Sequence, residues 1–264
     1  MQGTELLLSI ESFGVRATVW GEDLDGRNVA IPPPPGSVEA APSAADVAYL
    51  VAPSDDEGRW DVDVDEHVFG TFDTIEEAVA ALQSDLHHSI ALHAPDHLFV
   101  HAGVVAWRDR AIAIPGRTLA GKSTLVLALA RAGATYFSDE FAVIDADGGI
   151  LPYRRALSER VAGSPVPRRH PAASLSPEPN TVPLPLGGVL QTTFAPDAAW
   201  KPAPVSAAES MMALLDNTVV ARLRPDFAMA RLSAATRGCR GYRSVRGDAE
   251  EAAAAILELF DDDA

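Results

Sequence analysis

The stretch Gly116-Arg117-Thr118-Leu119-Ala120-Gly121-Lys122-Ser123-Thr124-Leu125 follows the apolar run Ala111-Ile-Ala-Ile-Pro115 and precedes Val126-Leu-Ala-Leu-Ala130. It fits G-x-x-x-x-G-K-[ST] without a gap. Each part has a task in binding phosphate. The glycines let the backbone turn tightly, so that successive N–H groups point at phosphate oxygens. The N-terminus of the following helix adds about half a positive charge. In such a loop Lys122 is expected to reach the β- and γ-phosphates, and the Ser123 hydroxyl to ligate Mg²⁺. At ordinary glycine usage such a match arises by chance in about one chain in a hundred of this length. A strand pattern before it and an apolar helix pattern after it raise its specificity. The expected nucleotide-binding residues are Gly116 through Thr124.

Upstream, Leu98-Phe-Val-His-Ala-Gly-Val-Val-Ala-Trp107, a turn at Arg108-Asp-Arg110 and Ala111 to Ile114 read as a β-hairpin that feeds the loop. Downstream, a helix from Ser123 to Ala132 is closed by Gly133. Tyr136-Phe137 then forms a short strand ending in Ser138-Asp139-Glu140. In α/β sheets the carboxyl ends of strands line the ligand crevice, which brings Asp139 and Glu140 to the γ-phosphate. One carboxylate can hold Mg²⁺ while the other accepts a proton from an attacking hydroxyl. Arg154, Arg155 and Arg160 are candidates for stabilising a transferring phosphoryl group or a substrate phosphate.

Residues His101 to Asp145, HAGVVAWRDRAIAIPGRTLAGKSTLVLALARAGATYFSDEFAVID, resemble the core of the HPr kinase/phosphorylase family and its kinase relatives. The resemblance extends more weakly from Leu98 to the C-terminus. That family carries a histidine hairpin, the loop, a short helix and a strand ending in two acids, and shares its loop arrangement with phosphoenolpyruvate carboxykinase. The resemblance implies an α/β fold with a P-loop kinase domain of this type. It implies ATP and Mg²⁺ as cofactors, Asp139 as proton acceptor, Glu140 beside Ser123 at the metal, and His101 near the reacting phosphate. It also implies a homo-oligomer, since the parent family forms hexamers. Two departures stand out. The Glu and Arg-Gly-Leu-Gly signature of the bifunctional protein kinase is missing. In its place Leu151 to Arg160 is similar to a stretch of distant relatives, which include kinases of free serine or of peptide precursors. The N-terminal part does not look like the family's usual N-terminal domain, so HPr is not the expected acceptor.

That N-terminal part, residues 1–92, reads as a small α+β domain rich in strands. Short alternating runs at Leu6–Ile10, Val15–Trp20, Val47–Val51 and Trp60–Val64 predict strands, and Pro32–Pro35 a stiff connector. The capping box at Thr74–Glu77 opens a helix to about Leu92. The ATP-binding domain is expected over residues 93–264. Its proline-rich segment, 162–186, is expected to be a mobile loop without helix. A capping box at Ser206–Glu209 opens one further helix and Asp248–Glu251 caps a terminal Ala-rich one, with a last strand around Arg243–Val245.

With 21 Lys plus Arg against 37 Asp plus Glu, the formal charge is −16, which argues against nucleic acid as a partner. No apolar run approaches the ~18 residues of a spanning helix, and the N-terminus lacks a basic leader region, so neither membrane nor secretion is expected. A lone cysteine, Cys239, fits a reducing cytoplasm. Three functions remain open to such a site: a kinase acting on a hydroxyl of a small molecule or a peptide serine, an ATPase or nucleotide switch, and a non-catalytic binding module.

Overall fold

The computed structural model describes residues 3–24, 26–43, 45–56, 58–116, 121–161, 164, 167–177 and 182–261. The chain is a mixed α/β protein that divides into two compact units, Met1–Asp96 and His97–Ala264.

The first unit contains β1 (Thr4–Ser12), β2 (Val15–Glu22), β3 (Ser37–Glu39), β4 (Val47–Pro53), β5 (Trp60–Val64), β6 (His67–Phe72) and α1 (Ile75–His93). They form one six-stranded sheet in the order β3-β1-β2-β4-β5-β6. Neighbours are antiparallel except β2 and β4, whose parallel pairing needs the long crossover that holds Pro32–Pro35. Thr74 caps α1 by accepting the Glu77 N–H. Ala78, Leu82, Leu86 and Ile90 recur at helical spacing and are buried.

The second unit opens with β7 (Leu98–Trp107) and β8 (Arg110–Pro115), a hairpin paired from Trp107–Arg110 to Ala102–Pro115. Its turn residues, Arg108 and Asp109, both hold left-handed φ values of 49° and 59°. This is the turn hand that matches strand twist. Then come α2 (Lys122–Arg131), β9 (Thr135–Ser138), β10 (Phe141–Ile144), β11 (Ile150–Leu151), β12 (Leu157–Glu159), β13 (Arg168–His170), α3 (Ala172–Leu175), β14 (Leu186–Phe194), β15 (Ala203–Val205), α4 (Ala207–Leu215), α5 (Pro225–Ala235), β16 (Arg240–Arg246) and α6 (Ala249–Leu259). The main sheet runs β11-β10-β7-β8-β14-β16-β15, with β9 also on β7. Strands β8, β14 and β16 are parallel, so their carboxyl ends share one rim. α2 is buried at every position from Leu125 to Ala130 and packs in a core with Ala252, Ala253 and Ile256 of α6. None of the helices among the described residues is long and apolar enough to cross a membrane.

Two expectations need correction. Ala172–Leu175 forms a helical turn inside the proline-rich segment, where no helix was expected. The cause is tertiary: Arg154 donates to the carbonyls of Ala172, Ser176 and Pro177 and gathers this stretch around one guanidinium. Nearby, β13 pairs with β12, and Leu184 exchanges backbone hydrogen bonds with Ile150. Residues 162, 163, 165, 166 and 178–181 of that segment lie outside the described residues. The second correction is α5, which the sequence reading left unassigned. Pro225 at its first turn, Asp226 in that turn and buried Ala228 and Leu232 are the signals it carried.

Candidate active site

Strand β7 is the spine of the site. On one side Ala102 pairs with Pro115, the last residue of β8 before the loop. On the other, β9 pairs with Val104–Ala106 and β10 with Leu98–His101. Asp139 and Glu140 fill the break between β9 and β10, so the acids and the loop flank the same stretch of β7. Ser138 fixes that break. Its buried hydroxyl accepts the N–H groups of Glu140 and Phe141 at 3.1 and 2.9 Å, and the Glu140 carbonyl accepts the Ala102 N–H.

Arg117, Thr118, Leu119 and Ala120 lie outside the described residues, but both ends of the loop are placed. Gly116 donates its N–H to the His101 carbonyl. Gly121 is the N-cap of α2, with a left-handed φ of 79° that glycine adopts without steric cost. It contributes no side-chain cap, and the first turn of α2 holds no acid. The first turns of α1, α4, α5 and α6 all carry Asp or Glu. The α2 N-terminus therefore keeps the positive end of its dipole uncompensated by its own sequence.

From the first position of α2, Lys122 Nζ donates to the Gly116 carbonyl at 2.6 Å and so bridges the loop. Burial lowers its pKa, while Glu140 and Asp139 act in the opposite sense. Ser123 Oγ donates to Asp139 Oδ2 at 3.1 Å. Tyr136 OH lies 3.1 Å from Asp139 Oδ1 and 3.0 Å from the Arg155 carbonyl. Burial pushes the Asp139 carboxyl above its usual range; Arg155, Tyr136 and Ser123 pull it down, and Glu140 pushes it further up. Glu140 forms an ion pair with Arg155 at 3.1 Å. Thr124 is exposed one residue along the helix.

Lys122, Ser123, Asp139, Glu140 and Arg155 thus form one connected cluster. His101 stacks its ring on Phe141, 4.8 Å between centroids, on the same β7 segment. Arg154 holds the 172–177 stretch, with its guanidinium over the Tyr136 ring at 5.9 Å. Arg160 is exposed beyond β12. Among the described residues no group of three or more His, Cys, Asp or Glu could by itself cage a metal. Magnesium in nucleotide sites takes few protein oxygens and completes its shell with phosphate and water. The adjoining Ser123 hydroxyl and Asp139 carboxylate, with Glu140 next in sequence, are oxygen donors that fit this demand.

Two residues were missed from sequence. Tyr136 was seen only as part of a strand, yet its hydroxyl orients Asp139. Arg246, the last residue of β16, is 2% exposed. Its guanidinium donates to the Gly121 carbonyl at 2.8 Å and to the Gly247 carbonyl at 3.1 Å. Only its place just before the Asp248 helix cap hinted at a role. Arg246→Met keeps the bulk and removes the donors. It is expected to lower stability by about 2–3 kcal/mol, because a buried carbonyl loses a charged partner. Urea unfolding monitored by circular dichroism measures this, and an unchanged midpoint would show that the clamp is idle.

No protein-family model and no curated protein matches the chain. Among solved structures, the chain is similar to that of the Hpr(Ser) kinase/phosphatase from Coxiella burnetii. The match covers 61% of this chain and 92% of that one, at 14% identity and a TM-score of 0.31.

Proposed function

We propose that the second unit binds ATP with Mg²⁺ at the Gly116–Thr124 loop and transfers the γ-phosphoryl group to a hydroxyl of a small molecule or of a peptide serine. The observation that carries this reading is the contact of Ser123 Oγ with Asp139 Oδ2 at the start of a helix whose first residue is Lys122. A hydroxyl for a metal, a cation for phosphate and a buried carboxylate for a proton are the parts phosphoryl transfer uses.

In this reading the α2 N-terminus and Lys122 hold the phosphates. Ser123 and Glu140 would hold Mg²⁺, with Asp139 adjoining, and the cation would supply neutralisation of phosphate charge. Asp139 accepts the proton of the acceptor hydroxyl. Its raised proton affinity makes it a stronger base than an exposed carboxylate. Tyr136 fixes its orientation. Arg155 restrains Glu140 and places positive charge beside both acids, and His101 borders the reacting group. Incubation with γ-labelled ATP, Mg²⁺ and a cell extract tests the reading. Label on an organic acceptor is the expected result. Label released only as inorganic phosphate would replace the kinase by an ATPase or switch, and no turnover would leave a binding module.

A further inference from the structure

Strand β6, His67-Val-Phe-Gly-Thr-Phe72, ends the sheet of the first unit, and among the described residues no strand pairs with its outer side. The strands that end the two large sheets elsewhere, β3, β11 and β15, have only two or three residues, whereas β6 has six. Edge strands are normally kept from pairing with other chains by shortness, by charged side chains or by proline. β6 carries no Lys, Arg, Asp, Glu or Pro. Its register on β5 runs from Val64–His67 to Trp60–Phe72 and takes in one extra residue, Phe69, between Val68 and Gly70. A bulge of this kind re-aims side chains, and here Val68 and Phe69 are 66% and 48% exposed. Such an edge offers an incoming extended chain main-chain donors and acceptors together with two apolar contacts.

The charge around the edge selects which chain fits it. Residues 1–96 hold 19 Asp plus Glu against three Arg, so the first unit carries the whole formal charge of −16 and the second is balanced. Several of these acids border β6. Asp63 is the cross-strand partner of Val68, and Asp65 and Glu66 form the turn into the strand. Among the described residues none of the three makes an ion pair. One Asp63 oxygen is shielded from solvent and has no hydrogen-bond partner among the described residues. Arg59 is engaged by Asp56 and Asp73, and Arg27 stacks on Trp60, both at the Phe72 end of the strand. Pairing with β6 of a second copy would bring two units of this charge together, which repulsion opposes, whereas a cationic strand is drawn in.

We propose that the outer edge of β6 is a docking site for an extended peptide whose apolar side chains alternate with lysine or arginine. The peptide adds one strand to the six-stranded sheet through main-chain hydrogen bonds. Its apolar side chains meet Val68 and Phe69, and its cations meet the acids of β5 and of the turn. The docking edge lies within the first unit and is independent of what the glycine loop binds.

Fluorescence anisotropy, with the full chain titrated into a labelled peptide of alternating lysine and valine, tests this. The peptide is expected to bind one-to-one, and more weakly as salt is raised. Two further peptides separate strand pairing from mere attraction to an acidic surface. One is the same peptide with every backbone nitrogen methylated, which removes the ladder donors at constant charge. The other has glutamate in place of lysine. Both should bind at least tenfold more weakly. Val68→Lys/Phe69→Lys should weaken binding of the first peptide at least tenfold, and both side chains are exposed, so the fold should hold. Should the double variant lose its native circular dichroism, Glu66→Lys replaces it, since that side chain is exposed in the turn, and a several-fold loss is required. Leu223→Lys, at a 70% exposed leucine of the second unit, should change nothing. Failure of the first peptide to bind overturns the proposal, as does a smaller loss with either control peptide, unchanged affinity in the β6 variants or an equal loss in Leu223→Lys. A dimer, seen by light scattering, that Val68→Lys/Phe69→Lys dissolves also overturns it, because a second copy would then be the occupant.

Discussion

Asp139→Asn is expected to abolish phosphoryl transfer, by about 10²–10⁴-fold, while MgATP affinity stays within a few-fold. The amide is nearly isosteric with the carboxylate and can still meet the Ser123 and Tyr136 hydroxyls, but it cannot take a proton. Glu140→Gln should act differently. It loosens the Arg155 pair and raises the Mg²⁺ needed for turnover. Single-turnover assays with titrated Mg²⁺ separate the two, and near-normal transfer by Asp139→Asn would sink the proposed mechanism. The same variant has a second, opposite consequence. Burial raises the Asp139 pKa in the folded state above its unfolded value. Such a group contributes stability below the unfolded pKa and loses it as pH rises through the folded pKa. The inactive variant should therefore be more stable than its parent at neutral pH, and that gain should vanish as pH falls towards the ordinary carboxylate pKa of about 4. Urea midpoints at the two pH values decide it. A less stable variant at neutral pH would mean that the hydrogen bonds to Asp139 outweigh its burial.

Lys122→Ala is expected to leave a folded protein whose ATP affinity falls at least tenfold and whose turnover falls about 10²–10³-fold, the typical effect of removing one preorganised electrostatic group. The side chain spans the loop to the Gly116 carbonyl rather than filling the core, so its loss removes charge without opening a cavity. Calorimetric ATP titration and labelled-ATP turnover are the measurements. If affinity and turnover were both unchanged, the phosphate loop would not be a phosphate loop.

The local pieces of this architecture were legible because each writes its own signal. Thr74–Glu77 announces α1, alternation announces the β7–β8 hairpin, and the apolar run after Lys122 announces α2. The neighbourhood of Ser123 was half legible. Chain order brings Asp139 and Glu140 to the right rim, but only the fold shows that the serine hydroxyl meets Asp139 while Glu140 turns to Arg155. Long-range order left no mark in any window. Nothing local says that β14 inserts between β8 and β16, because a buried parallel strand reads the same wherever it pairs. Arg154 and Arg155 look equivalent in sequence, yet one organises a distant loop and the other faces the acids. Arg246 was invisible for the same reason, since a buried arginine is defined by its partners and not by its neighbours in sequence.

The hydrogen bond from Arg246 to Gly121 joins positions 125 residues apart, and this sets an order of events during synthesis. The ribosome releases the whole loop motif early, with its hairpin and helix. The guanidinium that pins the far end of the loop emerges only after β14, α4 and α5 have been made. Until residue 246 has left the exit tunnel, the nascent second unit carries the motif without its anchor. In the proposed reading, nucleotide capture by the growing chain should therefore begin late and abruptly, rather than when the glycine loop first appears.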